Sequence, residues 1–168
     1  MADAARRQGF RKIALVFGYA LVASFGVAAM LIMEDRPLDE RGYIIIAIIG
    51  SGAFLGAALT MLYAKRILHL SNLPRFIAAF FSVMLATFVI QGLLSGAYTI
   101  VALADRGMPE NNDAADMSFS YAYGFAYYVI YGSPLAWPVG LGAAFLFALG
   151  FLTLRAQNDT NEQTRRVN

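Results

Sequence analysis

Four apolar stretches, 13–33, 43–64, 76–104 and 119–154, contain no Asp, Glu, Lys, Arg or His, and every charged residue lies between or outside them. A helix needs about 20 apolar residues to cross roughly 30 Å of hydrocarbon. The first two stretches meet that length, and the third is long enough to tilt or to protrude past a bilayer. The fourth is too long for one simple span and contains Pro134 and Pro138, and proline inside a helix removes a backbone donor and crowds the preceding turn. Its span is read as 134–154, with a segment at 119–133 lying near the membrane interface before it. One long helix kinked at Gly132, Pro134 and Pro138 is the alternative reading. Short connections favour neighbouring spans that pack as antiparallel hairpins. The predicted fold is an all-α membrane protein with four transmembrane helices in an up-down bundle.

The interfacial reading of 119–133 follows from its aromatic residues. Phe119, Tyr121, Tyr123, Phe125 and Tyr127 alternate with small residues, and Tyr128 and Tyr131 follow. In water that alternation signals a strand. An isolated strand in lipid leaves backbone groups unpaired, whereas tyrosine is enriched at headgroup level. The expectation is an interfacial or re-entrant segment on the non-cytoplasmic side, with Tyr121, Tyr123, Tyr127, Tyr128 and Tyr131 as an aromatic interface. Such a surface also suits a lipid, quinone, sugar or protein partner.

Inside the third span, Thr87, Gln91, Ser95 and Thr99 recur every four residues and so share one slanting helical face. Gly92 and Gly96 lie beside them in a GxxxG spacing. Small residues let helix backbones approach, and hydroxyl and amide groups then bond across the seam. The second span offers Gly52, Gly56 and Thr60 as a matching surface, and the fourth Ala136, Gly140, Ala144 and Ala148. Gln91 demands a partner, because an unpaired amide in hydrocarbon is costly. Packing within the bundle is the plain reading of this stripe. A solute path, or a seat for a partner's helix, is the sharper one.

Charge adds an orientation. Of the 13 Lys and Arg residues, ten fall in three segments: Arg6, Arg7, Arg11 and Lys12; Lys65, Arg66 and Arg75; and Arg155, Arg165 and Arg166. The other loops carry only Arg36, Arg41 and Arg106 among most of the acidic residues. Cytoplasmic loops keep Lys and Arg, so both termini are expected in the cytoplasm, as a basic tail at 1–12 and a polar tail at 155–168. The first stretch, about 21 apolar residues, exceeds the 7 to 15 of a secretory signal and reads as a retained anchor. A bacterial inner membrane is the working localisation.

Composition then limits the chemistry. The 168-residue chain is 59% hydrophobic and 14% charged, with no cysteine and one histidine. Disulfides, thiolate metal sites and bis-histidine haem ligation within one chain are excluded. A zinc site built on clustered histidines has no basis, and His69 reads as a solvated loop residue. Gly50 to Gly56 lacks the lysine of a phosphate loop. The paired carboxylates Glu34 with Asp35 and Asp39 with Glu40, and those between Asp105 and Asp116, lie in outer loops without a calcium-loop spacing. Ser95 and Ser133 have no neighbouring His or Lys in sequence to activate them. The expectation is a non-enzyme with no cofactor, no metal and no nucleic-acid partner. Its partners are membrane lipids and either a membrane protein or further copies of itself. It acts as a subunit, scaffold or accessory factor of a membrane complex. The alternative is a small oligomeric transporter or channel for a neutral or lipid-like solute, with Thr87, Gln91, Ser95 and Thr99 facing the lumen.

Overall fold

A computed structural model of the chain describes residues 2–33, 38–104, 114–128 and 133–154, with side chains described except at 2–5, 103–104, 114–116 and 133–137. Among these residues the structure is helical and contains no strand. Its elements are α1 (Ala2–Met33), α2 (Glu40–Leu62), α3 (Ala64–Leu68), α4 (Asn72–Ala104), α5 (Ala114–Tyr127) and α6 (Ser133–Leu152). Three of them, α1, α2 and α4, are long and apolar enough to cross a membrane, while the apolar part of α6, Pro138–Leu152, is shorter.

Several boundaries differ from those read off the apolar stretches. α1 begins at Ala2, so Arg6, Arg7, Arg11 and Lys12 of the basic tail are helical and continuous with the apolar stretch. Ala, Arg, Lys and Gln are strong helix formers and extend the span without a break. At α2 the start is set by Asp39, whose Oδ1 accepts the Gly42 N–H at 3.0 Å, an N-cap worth about 1 kcal/mol. Pro74 is the third residue of α4, a first-turn position where its missing donor has no intrahelical partner to lose. Pro134 stands second in α6, and Pro138 lies inside it. The end of α6 tightens, with Thr153 N–H on Gly150 O at 3.0 Å and Leu154 N–H on Phe151 O at 3.1 Å.

Between α2 and α4 the expected loop is the helix α3, which buries Ala64, Ile67 and Leu68 and turns Lys65 and Arg66 outward. Arg75 closes it, donating through Nη2 to Leu68 O at 2.6 Å and through Nε to Leu70 O at 3.1 Å. A cation on the last carbonyls of a helix also complements its dipole. His69 follows α3 and is exposed.

In the assembly, α2 packs against α1 and α4, α6 likewise packs against α1 and α4, and α5 packs on α4. The core lies where their small faces meet: Val16, Tyr19, Ala23 and Val27 of α1, Ala53 and Ala57 of α2, Ala79 and Val83 of α4, and Ala144, Phe147 and Phe151 of α6. Buried positions recur every three or four residues, so each helix presents one stripe inward. The Tyr19 and Phe147 rings meet edge to face at 5.4 Å between centroids, a geometry worth about 0.5 to 1.5 kcal/mol beyond area. The outer faces are apolar as well: Phe25 is 71% exposed, Phe81 63% and Leu85 67%. A surface apolar over such an extent is unsuited to water and suited to lipid.

Candidate functional site

The polar side chains of the interior gather where α1, α2, α4 and α5 approach one another. Gln91, 5% exposed, donates from Nε2 to Ile49 O of α2 at 3.1 Å, and its Oε1 accepts the hydroxyl of Tyr128, the residue just after α5. One turn earlier on α4, Thr87 pairs its Oγ1 with the Tyr19 hydroxyl of α1 at 3.1 Å. Each helix of the group therefore contributes to a hydrogen bond that leaves the helix. Every buried side-chain nitrogen and oxygen among the described residues has a partner.

Close approach makes these bonds possible. Gly52 lies against Gln91, and Gly56 lies against Thr87 so closely that a Cβ there would sit 2.7 Å from both Thr87 Cα and Thr87 N. No side chain fits in that space, so α2 and α4 touch backbone to backbone, with residue numbers rising along one as they fall along the other. Thr60 returns its hydroxyl to Gly56 O at 2.9 Å and adds no bond to α4.

The second half of the stripe serves a different helix. Gly92 faces the Phe125 ring, and Gly96 faces Tyr121, whose carbonyl oxygen would lie 3.0 Å from a Cβ at that position. Ser95 donates to Gly124 O at 3.3 Å, Thr99 donates to Ser95 O at 2.9 Å, and a Cβ on Gly124 would fall 2.6 Å from Thr99 Cβ. Thus Thr87 and Gln91 lie against α2 while reaching Tyr19 and Tyr128, whereas Gly92, Ser95, Gly96 and Thr99 receive α5.

The aromatic residues of α5 separate by face. Tyr121 is half-buried and donates to Leu93 O at 3.1 Å. Tyr123 and Tyr127 are exposed, with ring centroids 6.2 Å apart. Tyr128 departs from the interfacial expectation, being buried beside the Phe88 ring at 6.1 Å and bonded to Gln91. Helical periodicity replaces the alternation of 119–127, which is why these rings do not share one surface. Tyr131 and Gly132 lie outside the described residues. Pro134 and Pro138 both belong to α6, so neither separates it from α5.

Tyr19 carries no role in the sequence pattern, while Phe125 enters it only as one of the alternating aromatic residues and Arg75 only as a cytoplasmic charge. Tyr19 left a signal, since a hydroxyl within an apolar span needs a partner as much as the Gln91 amide does. In this core the hydroxyls bond to one another, to an amide or to backbone carbonyls, a set that can hold and orient neutral groups. Among the described residues no group of three or more His, Asp or Glu side chains gathers as metal ligands do, and Asp39 is engaged as the cap of α2. No protein-family model matches the chain, and neither does a curated protein or a solved structure.

Proposed function

We propose that the chain is a non-catalytic subunit, scaffold or accessory factor of a membrane complex. In this reading it crosses a bacterial inner membrane four times, up and down, with both termini in the cytoplasm. Support for the orientation comes from ten of the 13 Lys and Arg residues falling on the segments assigned to the cytoplasm. The observation that carries the functional reading is Gln91: its amide is satisfied by Ile49 O and Tyr128, inside the chain. A polar stripe closed on itself favours packing over passage. The apolar outer faces of α1 and α4, with Phe25 and Phe81 exposed, then remain for lipid and for a partner's helices, where close packing rather than charge sets association.

A second reading, an oligomeric transporter or channel for a neutral or lipid-like solute, draws on the division of the last apolar region into α5 and α6. Discontinuous helices often frame transporter binding sites. Purification of the tagged chain in mild detergent, with crosslinking and mass spectrometry, separates the two. A stoichiometric membrane protein crosslinked through α1 or α4 is the expected result. Recovery solely as a homo-oligomer that conducts a neutral solute in reconstituted vesicles contradicts the subunit reading.

A further inference from the structure

Along the outer seam of α1 and α6 runs an open groove of about 550 Å³. Its walls include Gly18 and Val22 of α1 and Leu146 and Gly150 of α6, and Arg11 stands at one end beside Thr153. Gly18 opens the groove, since a Cβ there would meet nothing within 4 Å. Its floor is closed where Leu15 packs against Gly150, and beyond Val22 the seam closes where Val139 packs against Gly26.

Dimensions and charge together identify what fits. From Arg11 to Val22 is eleven residues, about 16 Å at 1.5 Å per residue, and one leaflet of a bilayer is about 15 Å of hydrocarbon. The groove is thus as long as one acyl chain lying in one leaflet, with a guanidinium at its headgroup end and apolar walls below. Arg7, exposed and four residues before Arg11, shares that helical face. The stretches 6–33 and 133–154 hold no acidic residue, and Asp3, four residues before Arg7 in α1, is the one carboxylate of that helix.

The geometry points to a specific site for an anionic phospholipid, with one acyl chain in the α1–α6 groove and the phosphate on Arg11. It goes beyond the subunit reading and does not depend on it; Tyr19, whose hydroxyl pairs with Thr87, is the point where the groove adjoins the polar core.

Native mass spectrometry of the full chain, exchanged into mild detergent with equal palmitoyl-oleoyl phosphatidylglycerol and phosphatidylcholine, tests the site. One phosphatidylglycerol retained per chain, in preference to phosphatidylcholine, is the expected result. Arg11→Gln lowers that preference about fivefold, the effect of one basic residue near a membrane surface. Gly18→Leu fills the groove and removes the retained lipid. Gly142→Leu, where a Cβ also meets nothing within 4 Å but which is not part of the groove, leaves retention unchanged and shows that an added leucine on α6 is harmless. Equal retention of the two lipids overturns the proposal, as does undiminished retention by Gly18→Leu. A third contrary outcome is crosslinking of Gly18→Cys to a second copy by a short bis-maleimide, which assigns the groove to self-association.

Discussion

The α2–α4 seam and the α1–α6 seam are built from similar residues and end in opposite states. At the first, Gly56 meets the backbone of Thr87, Gly52 meets Gln91, and the polar atoms between them are paired. At the second, Gly18 faces open space, and the helices stand far enough apart to leave a groove of about 550 Å³. Small residues therefore permit close approach without compelling it. What draws α2 onto α4 is the repeat of small and polar positions at matching heights, so that each glycine receives a polar residue of the other helix. On the α1–α6 side Leu15 meets Gly150 and Val139 meets Gly26, Gly18 between them is left open, and in lipid no hydrophobic force closes the gap.

The contrast is broken most strongly at Gly56. Gly56→Leu places a side chain where the backbone of Thr87 already lies, and a loss of about 3 kcal/mol is expected, the upper end for overpacking. Reversible unfolding of the chain in mixed micelles measures it, and an unchanged midpoint removes the close-contact account of this seam. Next in size is Gln91→Leu, which leaves the Tyr128 hydroxyl buried without its acceptor and is expected to lose about 1 to 3 kcal/mol. Adding Tyr128→Phe restores part of that loss, so the double variant is more stable than the sum of the singles predicts; strict additivity in the same titration shows that the two side chains do not pair. Tyr19→Phe keeps the ring on Phe147 and removes the bond to Thr87, for about 0.6 kcal/mol, the average of interhelical bonds in membranes. Smallest is Gly18→Leu at the open seam, expected to change stability by no more than about 0.5 kcal/mol. A loss as large as that of Gly56→Leu erases the distinction between the seams.

The two seams were not equally legible in the sequence. Four-residue spacing places Thr87, Gln91, Ser95 and Thr99 on one face of α4, and the absence of charge identifies the apolar helices. Neither pattern says that the face divides between α2 and α5, because that depends on how far α5 reaches along α4. Tyr128 was assigned to the membrane interface on residue type. Its burial follows from the helical turn that carries it toward Gln91, a position that period-two alternation conceals. Charge sets the basic residues ahead of 13 apart from the span, while helix propensity carries α1 through them. The groove has no sequence signature, since Gly18 and Gly56 look alike until their neighbours are known.

The absence of cysteine allows a direct test of whether the polar core is closed. Single cysteines at Val83, Thr87 and Gln91 face the core, Leu85 and Leu93 face outward, and Ser71 lies exposed between α3 and α4. Each is exposed in membranes to a charged, membrane-impermeant methanethiosulfonate reagent, followed by counting of the remaining thiols. Rapid modification at Ser71, with none at Thr87 or Gln91, is the result expected of a packed and dry core. Modification at Thr87 and Gln91 at rates approaching that at Ser71 contradicts it, and reveals a water-filled path along the stripe.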